Sequence, residues 1–207
     1  MCLIAEPASA RQPKVHPQAA IQPTPLPETF VPPSLPEPWL RGPLPGIPAT
    51  LQPAGHALVA ALEETQRVSS DLATAQLWLR PGGIASIGFH LLHLAGSTDR
   101  LLTYARGEAL SESQRASLAD EQSMGEPFPS LEVLLAAWNR IVEQALVQLA
   151  ETPDAMLDVP RTIGRAELPS TVRGLLFHAA EHAQRHAGQV VTTARLIRSP
   201  NATSGTH

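Results

Sequence analysis

The sequence predicts an all-α protein, a four-helix bundle preceded by a proline-rich extended segment, and three observations carry that reading. Apolar residues recur with a helical period in four long stretches after Thr50. Alternation of the kind that marks strands is weak throughout the 207 residues. Proline is concentrated at the start of the chain, with Pro23, Pro25, Pro27, Pro32, Pro33 and Pro36 closely spaced in a stretch without apolar periodicity. Each proline fixes φ and removes a backbone donor, so this stretch is expected to be extended.

The domain organisation follows from that contrast. Residues 1–36 are expected to form a flexible tail, with a strap lying across the domain as the alternative. Residues 37–198 form the helical bundle, and residues 199–207 a polar C-terminal tail. Trp39 and Leu40, followed by Leu44 and Ile47, carry enough apolar surface to predict an ordered lead-in packed on the bundle.

The first long helix is predicted from about Pro53, acceptable in a first turn, to Ser69, with Leu58, Ala61, Leu62 and Val68 on its apolar stripe. Asp71 is placed to cap a short helix through Trp78, ended by Pro81-Gly82-Gly83. The second long helix spans about Ile84 to Arg106 and stops at Gly107, a fitting left-handed C-cap. A short helix from Ser111 to Glu121 precedes a loop through Gly125, Pro127 and Pro129. Ser130 opens the third long helix, which runs to about Ala150. The stretch from Thr152 to Pro169 reads as irregular, and Ser170 or Thr171 starts the fourth long helix, which continues to Arg198.

Composition narrows the functional classes. A net charge of −4 with 15 scattered basic residues argues against nucleic-acid binding, which needs a basic patch or stripe. No stretch approaches the roughly 18–20 apolar residues that span a bilayer. The opening Met1 to Ala5 has neither the basic residues nor the length of a signal sequence. A single cysteine, Cys2, excludes an internal disulfide and a cysteine-rich zinc site. A cytoplasmic protein is the default.

Histidine is where chemistry concentrates. His178, His182 and His186 recur every four residues and so form a column on the fourth helix. His90 and His93 lie on the second. On a helical wheel centred at Ile87, the residues Leu91, Leu94, Thr98, Leu101, Leu102 and Ala105 share one face. Ser86, His90, His93, Ser97 and Tyr104 line its flank, where a site between helices would lie. Half-buried imidazoles one turn apart cannot satisfy each other, and a metal ion resolves the conflict by accepting a lone pair from each neutral ring. Spacing allows either His178/His182 or His182/His186 as the ligand pair. It also points Glu181 and Arg185 away from the apolar face marked by Leu175, Ala179, Ala183 and Val190.

The run from Ser86 to Gly96, with Glu181-His182-Ala183-Gln184-Arg185-His186-Ala187-Gly188-Gln189, resembles the DinB superfamily of DinB/YfiT-like metalloenzymes. The resemblance covers about Trp39 to Arg198. It implies a four-helix bundle with a long crossover connection, and a metal site made of His93, His182 and His186, with His90 and His178 as neighbours. It implies a divalent ion (zinc, nickel or manganese) and a homodimer. It further implies a metal-dependent transferase that uses a low-molecular-weight thiol such as bacillithiol or mycothiol on an electrophilic substrate. The alternatives are a hydrolase using metal-bound water and a non-catalytic bundle with a structural or stress-associated metal. Ser97 and Tyr104 would orient a bound group behind a wall of Leu94, Leu101 and Leu175. Arg165 or Arg173, just before the last helix, would reach an anionic substrate.

Overall fold

The computed structural model describes residues 35–123 and 127–199. Residues 1–34 of the expected 1–36 tail, on which its strap alternative also falls, and nearly all of the C-terminal tail lie outside them.

The lead-in is ordered, but it packs through other residues than the two aromatic and aliphatic ones that head it. Trp39 and Leu40 are 61% and 57% exposed, whereas Pro38 and Ile47 are buried and Leu44 packs against the core. The Gln52 side chain holds this segment by accepting from Leu44 N and donating to the Leu44 and Ile47 carbonyls, all at 2.8 Å. Gly55 makes room for it, since a Cβ there would lie 2.8 Å from Leu44 Cδ1.

Helix α1 (Gln52–Ser69) buries Leu58, Ala61 and Val68 as expected. Asp71 does not cap the short α2 (Thr74–Leu77): Ala73 holds the cap position, and the Gln76 side chain accepts from its N–H at 2.9 Å. Asp71 is instead paired with Arg198, tying the far end of the last helix to this corner. Residues 81–83 form a 3-10 turn with Gly82 at φ 61°. Helix α3 (Ile87–Arg106) therefore begins three residues later than expected, where Ser86 Oγ accepts from Phe89 N at 3.2 Å. Gly107 closes it with φ 83°, the left-handed conformation that a side chain would resist.

Helix α4 (Glu112–Ser123) lies on α3 through polar contacts, among them Gln114 Nε2 donating to Asp99 and Thr103. Ser130 caps α5 (Leu131–Glu151) and Thr171 caps α6 (Val172–Arg198), each by its side-chain oxygen. The stretch read as irregular contains an antiparallel hairpin of β1 (Pro160–Ile163) and β2 (Leu168–Thr171), with Pro160 opposite Thr171 and Ile163 opposite Leu168. Neither strand contains a buried residue, so no apolar alternation marks them. Their prolines are tolerated because both strands are edges.

Helices α1 and α3 each pack against both α5 and α6, giving the ring order α1, α6, α3, α5. Successive long helices α1 and α3 thus face across one diagonal, and α5 and α6 across the other. The architecture is the all-α bundle that the sequence predicted, with α4 inserted between the second and third long helices. Leu58, Leu91, Leu94, Trp138, Val142, Leu175 and Val190 are at most 1% exposed and meet at its centre. Each such side chain contributes roughly 1.5–3 kcal/mol by burial. Ala179, Ala180, Ala183, Ala187 and Ala194 are buried along α6. Their small side chains let α1 and α3 approach the same helix closely enough to hold the histidines between α3 and α6.

Candidate metal centre

The polar flank of α3 meets the histidine column of α6 across the helix interface. His93, His182 and His186 form a triangle with ring centroids 5.1, 4.5 and 4.7 Å apart. One nitrogen from each ring lies within 4.8 Å of the other two, a group able to hold a metal ion. A tetrahedral ion with bonds of about 2.0–2.1 Å needs donors about 3.4 Å apart, so modest side-chain rotation completes the geometry.

Every ring of the triangle has its Nδ1 engaged. His93 Nδ1 lies 2.9 Å from Glu121 Oε2. His186 Nδ1 lies 3.0 Å from His90 Nδ1. Ser97 Oγ donates to the His93 carbonyl at 2.5 Å and stands 3.4 Å from His182 Nδ1, from which it can accept. If Nδ1 carries the proton in each ring of the triangle, Nε2 keeps the lone pair and three Nε2 donors remain for an ion. His90 then accepts from His186 and fixes its tautomer.

Electrostatics favours the neutral form of His90, His182 and His186. Burial, reinforced by His93, lowers the pKa of His90 to about 4. Burial and then His93 lower that of His182 to about 4, and burial with His182 lowers that of His186 to about 3. Near neutral pH these imidazoles carry no proton that a metal would have to displace. Phe89 covers one side, its ring stacked 5.6 Å from His93 and edge-on to His90.

Sequence reasoning missed Glu121 and Arg100. The Glu121 carboxylate, with its side chain 4% exposed, receives Arg100 Nη1 at 2.7 Å and Nη2 at 3.2 Å as well as His93. Burial pushes its pKa up, but the bonds from His93 and Arg100 outweigh that and leave it below the usual carboxylate value. Gly96 clears the way, because a Cβ there would lie 2.1 Å from Glu121 Oε1 and 2.8 Å from Arg100 Nη1. The signal was faint: a glycine inside α3, four residues before an arginine on the same helix face.

The other expected neighbours sort differently. His178 is half exposed, 3.4 Å from Glu181, with its ring centroid 5.5 Å from that of His182 and outside the triangle. Glu181 pairs with Arg185 and turns away from the triangle, as its helical position required. Ser97 reaches the site, but Tyr104 lines a cleft at the C-terminal end of α3 instead. Leu94 and Leu175 are core residues at 0% and 1% exposure. Arg173 is bound to Asp158 at 3.0 Å, whereas Arg165 lines the same cleft as Tyr104.

Fold and site together define a helical bundle with a candidate three-histidine metal centre. The chain belongs to the DinB superfamily, whose family profile matches residues 57–190 and so takes in all five helix-borne histidines of the site region. No curated protein matches the chain. No helix among the described residues is long and apolar enough to cross a membrane.

Proposed function

We propose that His93, His182 and His186 bind a divalent ion, zinc, nickel or manganese, in a centre that serves a metal-dependent transferase acting with a low-molecular-weight thiol. The observation that carries this reading is that all three Nδ1 atoms have partners while one nitrogen of each ring lies within 4.8 Å of the other two. Three protein ligands match the pattern of catalytic rather than structural zinc, which is usually closed by four. Those three histidines would hold the ion, which would supply a nucleophile near neutral pH by lowering the pKa of a thiol or water.

The chain's own residues prepare that centre. Glu121, held by Arg100, keeps the His93 proton on Nδ1 and turns the ring toward the centre. Ser97 and His90 do the same for His182 and His186, and Phe89 stacks on one face of His93. The Glu121 charge is already divided between Arg100 and His93, which leaves it a brace rather than a ligand. A cytoplasmic homodimer belongs to the same reading.

The test measures conjugation of monochlorobimane with bacillithiol or mycothiol by metal-loaded protein. Wild type should turn over, and the His182→Ala/His186→Ala variant should not. Equal rates for the two proteins across both thiols and all three metals would reject the transferase and leave a hydrolytic or non-catalytic metal centre.

A further inference from the structure

A second concave site lies away from the histidines. Tyr104 follows His93 by eleven positions on α3, a rise of about 16 Å along the helix. There the end of α3, the outer face of α4 and the hairpin enclose a cleft of about 960 Å³. Its walls include Leu110 and Leu118, and three guanidinium groups reach it from separate elements: Arg115 from α4, Arg161 from β1 and Arg165 from the hairpin turn.

None of the three is paired with a carboxylate among the described residues. Arg161 Nε donates to the Ala105 carbonyl at 2.8 Å and its Nη1 to the Pro160 carbonyl at 3.0 Å. Arg161 thereby covers the negative end of α3, which would otherwise repel an anion in the cleft. Arg115 donates one Nη1 bond to the Leu110 carbonyl and keeps the rest of its fork. Arg165 has no hydrogen-bonding or ion-pair partner among the described residues. Elsewhere Arg41, Arg100, Arg173, Arg185 and Arg198 are each matched to an acid. Arg80, Arg140 and Arg195 are not matched to one among the described residues, so what sets the cleft apart is that three unmatched guanidiniums line one site.

The acids lining the cleft do not cancel this charge. Glu108 is taken up by Arg106 at 2.8 Å, which leaves Glu167 against three guanidiniums. Planar forks suit a carboxylate, and leucine side chains with one phenol ring suit an apolar body attached to it.

We propose that this cleft is a binding site for a small organic carboxylate with an apolar body, gripped by Arg115 and Arg165 and packed on Tyr104, Leu110 and Leu118. It is built without the histidines, so binding requires no metal, and the site stands whether or not the transferase reading does.

The chain has 1 tyrosine, so ring-13C-tyrosine labelling gives a single NMR reporter on the cleft wall. Metal-free protein is titrated with benzoate, with acetate, benzyl alcohol and inorganic phosphate as comparisons at constant ionic strength. Benzoate should move the Tyr104 signals saturably and bind at least about fivefold tighter than each comparison. Arg115→Gln and Arg165→Gln should each weaken benzoate by about fivefold or more, as expected for loss of one charge-assisted contact of about 1 kcal/mol or more. Both are surface changes that leave the Arg161 brace intact. No saturable shift, a preference for phosphate or acetate, or unchanged affinity in both variants would overturn the proposal.

Discussion

The two sides of α3 solve the problem of burial in opposite ways. Toward α5 it presents Ile87, Leu91, Leu94 and Leu102, all at most 2% exposed, into a core completed by Trp138. Toward α6 and α4 it presents His90, Ser97 and Arg100, also 5–8% exposed, beside the more open His93. The apolar side is governed mainly by volume and shape, even though Trp138 Nε1 and Thr98 Oγ1 are buried without a hydrogen-bond partner among the described residues. The polar side needs a partner for each nitrogen and oxygen, because an unsatisfied buried group costs about 1–3 kcal/mol. That requirement recruits Glu121 from α4 to His93 Nδ1 and Arg100. Apolar packing therefore fixes where the helices lie, and the polar seam fixes which partner each His Nδ1 meets.

The sharpest way to break the apolar side is Trp138→Ala. It should cost about 3–5 kcal/mol of unfolding free energy, as for large-to-small changes in packed cores. Urea denaturation of the metal-free protein reads it; a loss under about 1 kcal/mol would mean the core is far looser than its burial indicates.

On the polar side, the largest effect should come from the triangle itself. His93→Ala, His182→Ala and His186→Ala should each weaken metal binding by more than the roughly 10–100-fold typical of losing a hydrogen-bonding partner to a ligand. Elemental analysis of untagged protein and competition with a chromophoric chelator measure this. Retention of metal by His186→Ala, with loss in His178→Ala, would show that the ligand pair lies one turn earlier.

Glu121→Gln should act more mildly, lowering metal affinity by about 10–100-fold through His93. Gly96→Ala should mimic it, since the new methyl group would occupy the space of the carboxylate. The comparison is made where circular dichroism shows all proteins folded. Wild-type affinity in both variants would remove Glu121 from any role at the centre.

A smaller effect separates the two sides by pH. The depressed pKa values, about 4 for His90 and His182 and about 3 for His186, lie below the 6.5 of a free imidazole. Below pH 6.5 the unfolded chain binds more protons than the fold, so stability falls as pH falls. The loss grows from about pH 6.5 toward pH 4–3 and then levels for these groups. Glu121 adds a loss of the same sign below its ordinary value of 4.5. Chemical denaturation of metal-free protein at pH 7, 5.5 and 4.5 should show the decline, and His182→Ala/His186→Ala should flatten it. A steeper decline in that variant would contradict the assignment. The smallest effect is expected from His178→Ala, whose half-exposed ring meets only Glu181 and the edge of the site.

Much of this was readable in the chain order of residues. Helical period located four long helices, Ser130 and Gly107 marked ends that the structure bears out, and of the two candidates Ser170 and Thr171 it is Thr171 that caps the last helix, because caps act within a turn of themselves. The wheel placed His93 and Ser97 on a flank of α3, and the family resemblance singled out His182 and His186. The hairpin escaped because its strands bury nothing, and Asp71 misled because a cap-forming residue was drawn to Arg198, distant in sequence.

What the sequence by itself determined was local: period, some of the helix ends and the face on which each histidine stands. Only the tertiary structure decided which flank residues would meet. Ser97 and Tyr104 share one flank of α3, yet one reaches His182 and the other a cleft at the far end. The Glu121 carboxylate comes from a polar helix 28 positions beyond His93, through the gap left by Gly96. A helical wheel gives the direction of a side chain but not the element that packs there, and hydrogen bonds are made with that element.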